Sequence, residues 1–157
     1  MSVVKSKRGV SSMQYVETAR KLKLHAFEVC TKAPKRYGPY LLYRLFDKCA
    51  GVFDEVNAAN NIIPKTQHEA QMRREHLIRA NGFLQNIPDD VSLLYDSILK
   101  NPEKCPWIDH AVQTFGELIA DEAKLIAGTK KSDKERYRDL PGEIPANPSS
   151  QGEDSIS

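Results

Sequence analysis

The stretch Tyr40–Ile62, YLLYRLFDKCAGVFDEVNAANNI, decides the fold class. Leu42, Leu45, Phe46, Cys49, Val52, Phe53, Val56 and Ala59 recur at steps of three and four. That is the spacing of a broad apolar stripe on one side of an α-helix. Asp47, Lys48, Asp54, Glu55 and Asn57 fall on the other faces. So long a stripe must be covered by other long helices, and the natural architecture is an all-α, antiparallel up-down four-helix bundle. The stripe holds no catalytic pattern, so function is to be sought in charges, helix ends and surfaces.

The flanking sequence supplies the other three helices. Helix 1 is expected to start after a cap at Ser11 or Ser12 and to run to about Thr31, with Val16, Ala19, Leu22, Ala26, Phe27 and Cys30 on its apolar side. Ala33-Pro34 ends it, because the residue before a proline is pushed out of the helical region. Helix 2 opens near Pro39 and stops near Ile62, just before Pro64. Thr66-Gln67-His68-Glu69 reads as a capping box for helix 3, whose inner face is expected at Met72, His76, Ala80, Phe83, Leu84 and Ile87. Pro88 must break or kink it, after which Val91, Leu94, Tyr95 and Ile98 resume helical spacing to about Leu99. Pro106 opens helix 4, with Ile108, Ala111, Val112, Phe115, Leu118, Ile119, Leu125 and Ile126 as its stripe and Gly128 as its expected C-terminal cap. A second capping box, Ser132-Asp133-Lys134-Glu135, predicts a short basic helix to about Leu140. The organisation is therefore a flexible basic arm over 1–11, a bundle over 12–129, a basic helical extension over 130–140 and a disordered Pro/Gly/Ser-rich tail over 141–157.

Composition narrows the function. A chain of 157 residues, 40% hydrophobic and 28% charged, suits one soluble globular domain. No apolar run approaches the roughly 18 residues of a membrane span. The opening MSVVKSKRGVSSMQ lacks the apolar core of a secretory signal. Cys30, Cys49 and Cys105 are odd in number and widely spaced, which fits a reducing, cytoplasmic setting better than a disulfide framework or a zinc site. Di-iron bundles need Glu-x-x-His pairs, and none occurs. Neither a Gly-x-Ser-x-Gly elbow nor a phosphate-cradling glycine loop is present. These absences lead to the expectation of a non-enzyme with no cofactor and no metal. An enzyme assembled in the bundle around His76 and the helix 2 acids is the rival in that class.

Charge is the more promising signal. Residues 1–36 carry nine Lys/Arg against two acids, and 130–138 carry five against two. The middle, 37–129, has nine Lys/Arg against thirteen acids, and 139–157 has four acids and no Lys/Arg. Such asymmetry points to an anionic partner, RNA or DNA, met by basic ends. Three clusters are candidates. Lys35 and Arg36 stand in the helix 1–2 turn with Tyr37 and Tyr40, whose rings can stack on bases. Arg73 and Arg74, with Arg79, form an expected exposed strip of helix 3. Lys130, Lys131, Arg136 and Arg138 surround Tyr137 after helix 4, and bundle topology would bring them to the start of helix 1. Ordinary solvated helix ends would show the same composition.

In chain order these elements resemble a known family. The resemblance rests on the turn Pro34-Lys35-Arg36-Tyr37-Gly38, a long helix ending Asn57-Ala58-Ala59-Asn60, a helix with Arg73-Arg74, and a fourth helix running into Lys130-Lys131-Ser132-Asp133-Lys134-Glu135-Arg136-Tyr137. Over residues 12–138 the chain is similar to the four-helix-bundle proteins that include the ribosomal intervening-sequence protein and the accessory variability determinant (Avd) of diversity-generating retroelements. The resemblance implies a non-catalytic accessory protein that forms homopentamers and binds a reverse transcriptase and its template RNA through basic surfaces. Carried to this chain, those positions are Lys35, Arg36, Arg73, Arg74, Lys130, Lys131, Arg136 and Arg138. The arm, Pro88 and the acidic tail depart from that pattern. The alternative is a protein–protein interaction module of a phage or mobile element with no nucleic-acid role.

Overall fold

The computed structural model describes residues 2–143, those before Met13 by their backbone alone. The described residues form four long helices packed as a bundle: α1 (Ser2–Lys32), α2 (Tyr43–Asn61), α3 (Gln67–Leu99) and α4 (Ile108–Arg136). A 3-10 turn at Lys35–Tyr37 and a π-helical turn at Gly38–Leu42 lead directly into α2. A second 3-10 turn, Pro102–Lys104, separates α3 from α4. No described helix is long and apolar enough to cross a membrane.

The buried faces follow steps of three and four along each helix. On α2 they are Leu45, Cys49, Val52, Val56 and Ala59. On α3 they are Arg73, Leu77, Ala80, Leu84, Ile87, Val91, Leu94 and Ile98. On α4 they include Ile108, Ala111, Phe115, Glu122 and Ile126. This average of 3.5 residues keeps one face turned to its neighbours over many turns. Cys49 is fully enclosed and burial pushes its thiol up to about 12, so it packs as a small hydrophobe.

Side-chain bonds set the register. Tyr15 on α1 donates to Asn60 near the end of α2 (3.1 Å), and the Cys30 thiol, late in α1, makes a long contact with the Leu42 carbonyl (3.5 Å). Lys48 pairs with Asp90 at 2.7 Å and His76 Nδ1 meets Glu55 at 2.6 Å, tying α2 to α3. His25 Nε2 lies 2.9 Å from the Ala111 carbonyl, and its ring meets Phe115 edge-on at 4.5 Å, tying α1 to α4.

Several boundaries differ from those predicted. The helical backbone starts at Ser2, so the expected arm is continuous with α1. No proline interrupts the stretch before Ser12, and a cap residue by itself does not forbid a helix from extending past it. Gly128 is inside α4, and Ser132 starts no new helix; one unbroken helix reaches Arg136. A helical glycine costs only about 1 kcal/mol, and the continued helix carries Asp133 to Arg73. Pro88 does not break α3, whose flanking turns are held by buried Ile87 and Val91. Met72 and Phe83, predicted to face inward, are 42% and 38% exposed. Ala80, Leu84 and Ile87 are buried as predicted, while Arg73 and Leu77 take the inner places expected for Met72 and His76. Phe83 instead lies over Gly51, where a Cβ would stand 3.0 Å from its ring. The predicted tail from 144 onward lies outside the described residues.

Candidate nucleic-acid interface

The first turn of α3 is built by the predicted capping box. Thr66 Oγ1 accepts from the Glu69 backbone N–H (3.2 Å), while Glu69 accepts from the Lys65 N–H (3.1 Å) and from the Thr66 hydroxyl (3.3 Å). This leaves Gln67 free to hold the chain that follows α4. Its side-chain amide donates to the carbonyls of Tyr137 (2.9 Å), Arg138 (3.0 Å) and Leu140 (3.0 Å), and its backbone N–H donates to the Pro141 carbonyl (2.8 Å). The start of α3 and the end of α4 are thereby fastened side by side.

Between them runs a cleft of about 290 Å³. Arg74, Gln71 and Leu77 line it from α3, and Lys130, Asp133, Lys134, Tyr137 and Arg138 from the other side. Of its four cations, Arg138 alone is ion-paired among the described residues, loosely with Asp139 at 3.9 Å where both are solvent-exposed. An exposed pair of that length contributes little. Asp133, the carboxylate in the cleft, is already committed to Arg73.

Arg73 is the floor of this end of the bundle. Its Nε donates to Asp133 at 2.6 Å and its Nη2 at 3.3 Å, while Nη1 donates to the carbonyls of Ala59 (3.0 Å) and Ile62 (3.3 Å). One guanidinium thus binds two carbonyls at the end of α2 and pins α4 to α3. Burial alone would lower its pKa, but the hydrogen bond to Asp133 and that residue's charge outweigh it and the net shift is upward. The Tyr137 ring has two guanidiniums near it, Arg73 and Arg136, each 5.9 Å from its centre. Tyr15 lies beside this pair, and burial raises its phenol despite the opposing Arg73 charge.

The eight predicted positions are therefore divided. Arg74, Lys130 and Arg138 share the cleft. Arg136 faces a second recess of about 490 Å³, on the α1 side, with Lys124, Ser132, Thr129 and Gln14. Lys131 is exposed and lines neither. Lys35 and Arg36 are exposed in the turn after α1, where Arg36 stacks at 5.0 Å on the half-buried Tyr37 and donates to its hydroxyl at 3.1 Å. Tyr40, in contrast, is 83% exposed. Arg73 is a correction: expected on an exposed strip, it is 8% exposed and its donors are occupied within the bundle. Lys134 was missed as a lining residue, although its position four residues after Lys130 puts both on one helix face. Lys124 gave no sequence signal.

Elsewhere the chemistry is sparse. His76 is half-buried against Glu55, with Arg79 at 3.8 Å from the same carboxylate. Among the described residues no three His, Cys, Asp or Glu side chains are grouped to hold a metal. No protein-family model, curated protein or solved structure matches the chain.

Proposed function

We propose that this chain is a non-catalytic nucleic-acid-binding subunit, an antiparallel up-down four-helix bundle whose α3–α4 cleft receives a phosphate backbone. The observation that carries the reading is the convergence of Arg74, Lys130, Lys134 and Arg138 on one cleft beside an aromatic ring, Tyr137, with the local acid neutralised by Arg73. Cations so placed displace counterions from phosphates, and the ring offers a stacking surface. The antiparallel arrangement is supported by bonds that join Tyr15 to Asn60 and Tyr95 to Asp109. The resemblance in layout extends the reading to an accessory subunit of a diversity-generating retroelement, which acts beside a reverse transcriptase and its template RNA as a homo-oligomer, a pentamer by that resemblance. Oligomerisation would multiply weak contacts into useful avidity.

The test is binding to labelled structured RNA and to duplex DNA at about 50 and 200 mM salt, with the mass measured on the same sample. Several phosphate contacts predict a loss of roughly 10³-fold across that range. Absence of binding at the lower salt refutes the reading. A second reading, a protein-interaction module without a nucleic-acid role, is favoured by Leu24 and Phe27, which are 50% and 58% exposed.

A further inference from the structure

A second surface lies on a different pair of helices. Leu24 and Phe27 of α1 and Phe46 and Phe53 of α2 line a groove of about 280 Å³, and its remaining lining residues are Arg20 and Lys23. Phe27 meets Phe46 edge-on at 6.3 Å, and the Lys23 ammonium lies 5.0 Å from the centre of the Phe53 ring. Phe27 and Phe46 are thus in contact with each other and Phe53 with Lys23, and Phe27 is exposed. Among the described residues neither Arg20 nor Lys23 has a carboxylate partner, and no acid lines the groove.

The dimensions are those of a helix site. Arg20 and Phe27, like Phe46 and Phe53, stand seven residues apart, which is roughly 10 Å along a helix. That distance matches the i, i+4, i+7 anchors by which an amphipathic helix enters a groove. Two cations would neutralise few phosphates, whereas four apolar side chains in one groove bury hydrocarbon. From this charge and shape we infer that the α1–α2 groove docks an amphipathic helix of a partner protein, with aliphatic anchors against Leu24, Phe27, Phe46 and Phe53 and carboxylates beside Arg20 and Lys23. The inference does not depend on the α3–α4 cleft binding nucleic acid.

The probe is a labelled helical peptide of about four turns, with leucines at i, i+4 and i+7 and glutamates flanking them, read by fluorescence anisotropy on the full chain. Its twin carries lysines in place of the glutamates. The acidic peptide is expected to bind about tenfold tighter than the twin. Phe27→Ser, at an exposed position that leaves the core intact, is expected to weaken it about tenfold or more, with Leu24→Ser as the independent second variant. Arg20→Glu with Lys23→Glu is expected to reverse the preference towards the lysine twin. Equal binding of both peptides, or none at about 1 mM, overturns the proposal. So does a wild-type oligomer that Phe27→Ser converts to monomer, since a second copy would then cover the groove. Loss of single-stranded RNA binding in Phe27→Ser, with peptide binding unchanged, overturns it as well.

Discussion

Asp133 and Glu122 are carboxylates on the same helix, three turns apart and turned to the same side, yet their surroundings are opposite. Asp133 meets Arg73 at 2.6 and 3.3 Å. Glu122 is 0% exposed and, among the described residues, neither of its oxygens has a hydrogen-bond partner. Among the described residues the other buried polar side chains are Thr18, Thr66 and Arg73, and Arg73 is taken. Burial therefore pushes the Glu122 carboxyl up to about 8. A charge inside a bundle is tolerated where a facing helix supplies its counter-charge. Where none does, the group keeps its proton. The paired level is also the one that carries the cationic cleft, so the same ion pair that fastens α3 to α4 clears the cleft of negative charge.

The largest effect is expected at the paired level. Arg73→Ala would strand Asp133 and take a donor from the Ala59 and Ile62 carbonyls, with a loss of about 3–5 kcal/mol in urea unfolding. Replacing both partners, Arg73→Met with Asp133→Leu, should recover most of that loss, and a double variant no better than the single one would break the comparison. At the unpaired level the sign reverses. The folded Glu122 holds its proton above the ordinary carboxyl value, so the unfolded chain releases it first as pH rises. Stability is fully present below about pH 4.5 and declines until about pH 8, where the folded group ionises too. Glu122→Gln lacks this titration, and its advantage over wild type should grow by about 5 kcal/mol across that window in parallel urea melts. A difference that stays constant with pH would mean that Glu122 finds a partner in solution.

Smaller effects sharpen the functional half of the contrast. Lys134→Ala should lower the salt dependence of RNA binding by about one phosphate contact, measured as the slope of log affinity against log salt. Lys35→Ala with Arg36→Ala, in the turn after α1, should change it less, because those cations face neither cleft. An equal change would shift the interface to the other end of the bundle. Thr66→Ala should cost about 1 kcal/mol in thermal unfolding, since it removes the cap that positions Gln67.

Much of the fold was legible because helix signals are local. The capping box at Thr66, the end before Pro34 and the stripe of α2 each involve residues within a turn or two. What failed were signals that compete with packing. Gly128 and Ser132 spell a helix end followed by a restart, but Asp133 is required on α4 by Arg73, sixty positions earlier. On α3 the pattern correctly puts Ala80, Leu84 and Ile87 inside, but an arginine at a core position breaks it upstream, so Met72 and His76 are expected where Arg73 and Leu77 are buried.

The candidate site was legible only as a list of basic residues. Composition showed that Lys130–Arg138 is basic and aromatic, but the division of that cluster between two recesses depends on how α4 meets α3 and α1. Glu122 went unread for the converse reason: an Asp121-Glu122 pair looks like a solvated face, and nothing within a few residues says which of the two points inward.

The sequence by itself determined four helices, where most of them stop and which stripes must be covered, because those choices rest on backbone geometry and the 3.6-residue turn. Only the tertiary structure decided which charges are buried and which remain free to meet a partner. Arg73 and Arg74 are neighbours in the chain, yet one step along a helix turns the side chain by about 100°. One becomes the floor of the bundle and the other lines its cleft, and the choice is made by a carboxylate on another helix.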